Sequence, residues 1–272
     1  MTDIHDQVAR HYGQGGIAEA ILAALAAAGK DIERLTPDDL APIDEFHTRG
    51  RAATVDLATL LALESRHRVL DVGSGIGGPS RFLAHTYDCT VVGLDLTPEF
   101  CAVARVLAAR SGLADRVSYR QGNALDMPFE DESFDVVWSQ NAVMNIALRD
   151  RLYHEMRRVL RPGGRLAIND VTSGAGGPPH YPVPWAREAA TSFLLTAEVT
   201  RTRLEAAGFR VIAWEDTSGP ALEFSRRRAA AGPTPLGIHL VMGADWPAMT
   251  ANTLRNLAED RIRSLHAVLE RI

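Results

Sequence analysis

The sequence predicts an α/β protein built on a doubly wound, mostly parallel sheet, and three observations predict it. β-rich runs at Val69–Val72, Thr90–Asp95, Arg116–Gln121 and Ser133–Trp138 alternate with helical stretches, the order that parallel strands and crossover helices produce. The first run opens into a glycine cluster (Gly73, Gly75, Gly77, Gly78) and then Pro79, which reads as strand, tight turn and the first turn of a helix. Asp71, Gly73, Asp95 and Gly122 all fall at the carboxyl ends of runs, the edge at which such sheets bind ligands.

The elements follow in order. Met1–Gly16 carries His5, His11 and Tyr12 and is too polar for a core. Ile17–Ala28 is alanine-rich, with Ile17, Ile21, Leu25 and Ala28 on one helical face, and Gly29 ends it. It serves either as a packing helix or as a lid over a cleft. Leu35–Leu40 is a capped turn. Asp44-Glu-Phe-His-Thr-Arg-Gly50 is dense in side chains that can bond a substrate, and a helix through Val55, Leu57, Leu60 and Leu61 follows. Pro79–Tyr87 is the first crossover helix. Thr97 caps the second, Pro98 starts it and Gly112 stops it. Arg149–Leu160 is amphipathic, and Arg161-Pro-Gly-Gly164 turns into a fifth strand, Arg165–Asp170.

Val171–Leu195 then breaks the pattern with glycine and proline clusters and with His180, Tyr181, Trp185 and Phe193. An irregular stretch of this length inside a compact domain is functional or disordered, and its aromatics argue against disorder. It reads either as a cap with Tyr181 and Trp185 as apolar walls, or as a loop that its rings merely pack down. A helix from Thr196 to Gly208, a sixth strand Phe209–Trp214, helical Leu222–Ala231, a Pro/Gly-rich insert Gly232–Gly243 with His239, a helix Thr250–Asp260 and a closing strand in Arg261–Ile272 complete the chain.

The glycine loop fits G-x-G-x-x-G at Gly73, Gly75 and Gly78, a pattern several nucleotide-binding families share. Two acids narrow it. Asp71, just before the loop, suits a ligand with an ammonium group, where a dinucleotide site would have an apolar residue. Asp95, at the end of the second strand, is placed to accept from both hydroxyls of a ribose. One ligand with a ribose and an amino acid moiety meets both requirements: S-adenosylmethionine.

From Arg66 to Asp170 the chain resembles the class I S-adenosylmethionine-dependent methyltransferases. It is most similar to the small-molecule branch that includes sarcosine/dimethylglycine N-methyltransferases and quinone and natural-product methyltransferases. The resemblance implies a Rossmann-like, seven-stranded, mostly parallel sheet with an antiparallel last strand. Residues 1–64 would form an N-terminal helical lid and 65–272 the methyltransferase domain, with a substrate cap inserted around 171–195. It implies a cofactor site of Asp71, Gly73, Ser74, Gly75, Gly77, Asp95, Leu96, Asn123, Ala124 and Gln140. There Asn123 and Ala124 meet adenine and Gln140 helps hold the methionine ammonium. Asn141 and Asn145 would lie near the transferred methyl, unless they only cap local backbone. The family more often has Asp at the position of Asn123, and acidic or His side chains where these two asparagines stand.

Ser139, Gln140, Asn141 and Asn145 include no base at neutral pH, which favours an acceptor that is already nucleophilic, such as an amine. His47, His180, Glu45 and Asp170 could supply a base, and then O- or C-methylation of an aromatic or quinone-like molecule is the alternative. A lone His before a helix, such as His47, is more often a cap or surface group. A nicotinamide dehydrogenase is disfavoured by Asp71 and the closing strand; a non-catalytic S-adenosylmethionine-binding protein is a further alternative. No metal site is expected, since the nine histidines form no H-x-x-x-H pair and the two cysteines, Cys89 and Cys101, lack zinc spacing.

The 272 residues bound one substantial core, and a net charge of −5 argues against a nucleic-acid partner. Two isolated cysteines, no membrane-length apolar run and no signal-like start read as a cytoplasmic protein that contacts no membrane. The expected partner is a small methyl acceptor. A homodimer is left open.

Overall fold

The computed structural model describes residues 15–272; the polar opening segment lies outside the described residues apart from Gly15 and Gly16. Three N-terminal helices, α1 (Ile17–Ala27), α2 (Pro37–Asp44) and α3 (Arg51–Thr59), precede the sheet. Then come β1 (Arg68–Val72), α4 (Gly78–Tyr87), β2 (Thr90–Asp95), α5 (Pro98–Arg110), β3 (Val117–Gln121), β4 (Phe134–Gln140), α6 (Arg149–Val159) and β5 (Leu160–Ser173). The chain ends with α7 (Ala197–Ala206), β6 (Phe209–Asp216), α8 (Ser218–Ala231), the short α9 (His239–Met242), α10 (Trp246–Ala258) and β7 (Ile262–Arg271).

The seven strands run in the order β3-β2-β1-β4-β5-β7-β6, with β7 antiparallel to both of its neighbours. This is the expected Rossmann-like sheet. Strand order reverses between β1 and β4, and a crevice opens there at the carboxyl edge. One face packs α3, α4 and α5 through Leu57, Leu83, Cys101 and Ala104 onto Val69 and Trp138. The other packs α6 and α7 through Leu152, Met156 and Leu204 onto Leu70, Val137 and Ile168.

Strand five is longer than its sequence predicts. It stays in register with β7 from Arg165 opposite Glu270 to Ser173 opposite Ile262, so the long antiparallel partner carries it past Asp170 into the stretch read as irregular. Beyond it, residues 174–195 form the expected non-regular segment. That segment returns along β5, where the Ser173 N–H bonds the Leu195 carbonyl. It also docks on α10, where Asn256 exchanges two bonds with the His180 backbone at 2.8 and 3.0 Å.

The N-terminal helices are clamped to the glycine loop. Ile17, Ile21 and Leu25 of α1 pack with Ile76 of the loop and Phe100 and Leu107 of α5. Thr36 and Asp39 form a capping box that starts α2. At the end of α2, Asp44 pairs with Arg81 of α4 at 2.6 Å, both side chains essentially inaccessible. Arg81 also donates to the Ile76 carbonyl at 2.7 Å. Gly78 has no side chain because a Cβ there would collide with the Asp44 backbone. Removing one member of a buried pair strands the other charge. Asp44→Ala should therefore lower the unfolding free energy by about 3–5 kcal/mol in urea titration, and Asp44→Ala/Arg81→Met should recover most of that loss.

Candidate active site

The carboxyl-edge cleft is lined by Asp71, Gly73, Ser74, Gly75, Asp95, Leu96, Asn123, Ala124, Gln140, Asn141 and Asn145 of the sheet domain, and by His47 from the segment between α2 and α3. Asp71 stands opposite Gly93 in the β1–β2 register, so Asp95, two residues on, lies on the same face of the sheet. The two acids thus face one cleft. Asp71 is 2% exposed, and its Oδ2 accepts from the Ser80 hydroxyl at 2.5 Å. Burial pushes its carboxyl up to about 7, with the Ser80 bond opposing. Asp95 accepts the Gly75 N–H on Oδ2 and the Thr97 N–H on Oδ1, each at 2.8 Å. Burial raises its pKa too, against those two bonds. Each carboxylate oxygen has a further acceptor site, which leaves Asp95 able to receive two hydroxyls.

The glycines divide by role. Gly73, at φ 76°, lets the loop approach the β4 turn, because a Cβ there would collide with that of Ala142. At Gly75 a Cβ would touch only the Phe46 ring at 3.4 Å, on the cleft side. Gly77 does not line the cleft. A Cβ there would strike the Tyr119 hydroxyl, so Gly77 packs the loop against β3.

Three further expectations change in detail. The Gln140 Oε1 accepts the indole N–H of Trp138 at 2.9 Å and lies 3.3 Å from the Thr54 hydroxyl. Its buried amide nitrogen has no partner among the described residues. Gln140 therefore presents a donor, which suits a carboxylate and not an ammonium. Asn145 donates amide hydrogens to the carbonyls of Trp185 at 2.7 Å and Thr191 at 2.9 Å, so it fastens the 174–195 segment as well as lining the cleft. His180 lies outside the cleft lining: its Nε2 sits 2.9 Å from Glu259, where the 174–195 segment docks on α10.

Asn123 uses its side-chain oxygen to accept the Leu125 N–H at 2.9 Å, which holds the turn beyond β3 and leaves one lone pair. Asn141 takes a left-handed conformation, φ 49°, which Asn tolerates better than most residues. Its N–H bonds the Asn169 carbonyl at 2.8 Å, so β4 turns sharply where it meets the cleft.

His47 is buried, its side chain 3% exposed. Its Nε2 lies 3.0 Å from the Gly50 carbonyl, 3.1 Å from the Glu45 carboxylate and 3.0 Å from the Thr54 hydroxyl. The first two only accept, so Nε2 carries a hydrogen. Thr54 donates to Glu45 at 2.7 Å. Burial alone would raise the Glu45 carboxyl; the His47 bond and the His47 and Arg51 charges outweigh it and hold Glu45 at about 2. An ionised carboxylate thus backs an imidazole that lines the cleft.

A second cavity of about 1310 Å³ adjoins the first and shares Phe46, His47, Asn141, Pro184, Trp185, Ile238 and Trp246 with it. Trp185 lines both cavities, and its indole N–H is tied to Ser192 at 2.9 Å. Tyr181 is not a wall: it packs the cap with Val183 and Trp185. Ile238 and Trp246 were missed, since the insert before α10 carries no motif and reaches the cleft only through tertiary packing.

The cleft fits S-adenosylmethionine. It offers an uncompensated buried carboxylate for an ammonium, an unpaired amide N–H₂ for a carboxylate and a second acid with open lone pairs for a ribose. The comparisons agree. Residues 70–168 match the methyltransferase domain model. The chain is 30% identical over 211 residues to the sarcosine/dimethylglycine N-methyltransferase of Halorhodospira halochloris, covering 77% of this chain and 75% of that one. It is 40% identical over 133 residues to the methyltransferase GfsG of Streptomyces halstedii, covering 49% of this chain and 48% of the relative, so the chain spans about half that relative's length. The fold of geranyl diphosphate C-methyltransferase from Streptomyces coelicolor A3(2) superposes with a TM-score of 0.73 at 16% identity, covering 99% and 98% of the two chains. On the shared fold, the matched domain and the relative aligned over three quarters of its length, this chain belongs to the S-adenosylmethionine-dependent methyltransferases.

Proposed function

We propose that the chain transfers the methyl group of S-adenosylmethionine to a hydroxyl of a small molecule, with His47 as general base. The observation that carries this is the Gly50 carbonyl and Glu45 carboxylate around Nε2, which leave Nδ1 as the basic atom in a residue lining both cavities. A hydroxyl must lose a proton as it attacks, whereas a neutral amine need not. Amine methylation remains the second reading, supported by the relative that acts on sarcosine and dimethylglycine.

When bound, S-adenosylmethionine supplies a methyl carbon already activated by a sulfonium. Asp71 would hold its ammonium, Gln140 Nε2 its carboxylate, Asp95 its ribose hydroxyls, and the Asn123–Ala124 turn the adenine edge. His47 would take the acceptor's proton on Nδ1, and the charge that develops on the ring would be balanced by Glu45. The N-terminal helices and the cap would act as a lid, excluding water and holding acceptor and donor in line, an arrangement that can supply about 7–11 kcal/mol of a barrier. The free buried thiols of Cys89 and Cys101, each pushed up to about 11 by burial, suit a reducing compartment such as the cytoplasm.

Asp95→Ala should weaken S-adenosylmethionine binding by roughly 1–3 kcal/mol in calorimetric titration, since charge-assisted bonds to the ribose are lost. Equal affinity would contradict the ribose placement. Release of S-adenosylhomocysteine over a panel of amines, phenols and alcohols tests the acceptor. Turnover of hydroxyl compounds should fall about 10²–10⁴-fold in His47→Asn. Turnover confined to amines, or unchanged in His47→Asn, would favour the second reading.

A further inference from the structure

We propose that the second cavity is the acceptor site and that it takes a bulky, largely apolar skeleton carrying an anionic group, which Arg228 anchors. The proposal rests on the methyl-transfer reading and deepens it. Continuity comes first: His47, Asn141 and Trp185 border both cavities, so a molecule filling the second reaches the methyl end of the first. Size comes next. At about 1310 Å³ the cavity exceeds the ~300–1,000 Å³ typical of sites for drug-sized ligands, and an amino-acid amine would leave most of it wet. Its walls include the aromatic residues Phe46, Trp185, Phe224 and Trp246.

Charge decides the class. Three arginines line the cavity. Arg49 pairs with Asp56, and Arg51 with Glu45 and Asp38. Arg228 has no carboxylate partner among the described residues; its guanidinium instead lies 5.6 Å from the centre of the Trp246 ring. The two acids on the wall, Asp38 and Glu45, are both engaged by Arg51. Among the described residues the cavity therefore holds one half-buried cation with no carboxylate partner, beside an aromatic platform.

Two dyes of the same skeleton test this, anionic anilinonaphthalenesulfonate and uncharged phenylnaphthylamine, titrated by fluorescence into the S-adenosylhomocysteine-loaded protein. The anionic dye should bind about tenfold more tightly than the neutral one, the worth of one charge-assisted bond. Arg228→Ala should abolish that ratio, Arg228→Lys should keep part of it, and Trp246→Ala should weaken both dyes. A ratio unchanged in Arg228→Ala, dye binding indifferent to Trp246→Ala, or no binding of either dye to the loaded protein would overturn the proposal. Failure of S-adenosylhomocysteine itself to bind would instead overturn the methyl-transfer reading, and the proposal with it.

Discussion

The structure depends on a carboxylate that is buried without a cation partner among the described residues. Asp71 sits at the end of β1, 2% exposed, with one hydroxyl for a partner. Its folded-state pKa, about 7, lies above the ordinary carboxylate value, so its contribution to stability is fully present at low pH and is lost as the pH rises toward 7. Near neutrality the unliganded fold therefore carries a cost at this residue. A cationic ligand would offset it, and in the function proposed above that cation is the ammonium of S-adenosylmethionine. Asp95 completes the arrangement, because the bonds that orient it come from the loop itself, through Gly75, and from the start of α5, through Thr97.

The second constraint is the buried Asp44–Arg81 pair, which ties α2 to the helix after the glycine loop. Glu45 and His47 follow Asp44 directly in sequence, so the pair that clamps the N-terminal helices also delivers them to the cleft. Thr54 closes the group from α3, touching Glu45, His47 and Gln140 within 3.3 Å. The segment after α2 thus lines the cleft, and α3 shares its core with β1 and β4 through Leu57 and Ala58.

Much of this was legible in the sequence because it is local. Strand-turn-helix punctuation and an acid before and after the loop place Asp71, Gly73, Gly75 and Asp95 without tertiary information. Side-chain polarity in the site was less legible. Gln140 turned out to present a donor because its oxygen meets Trp138, a contact across one pleat that composition does not reveal. Gly77 was grouped with its neighbours, but Tyr119 from β3 decides its role. His180 and Tyr181 looked like site residues because they share a loop with Trp185; the loop's docking on Asn256 turns them away. Trp246 carried no signal, since it reaches the cavity from far along the chain.

The central claim is that Asp71 and Asp95 grip opposite ends of one sulfonium nucleoside. A carbon-13 NMR titration of the Asp71 carboxyl, with and without S-adenosylhomocysteine, tests it most directly, since that product keeps the ammonium. The account predicts a midpoint near 7 in the free protein and a fall toward or below the ordinary carboxylate range in the complex. A midpoint that does not move on saturation would contradict it.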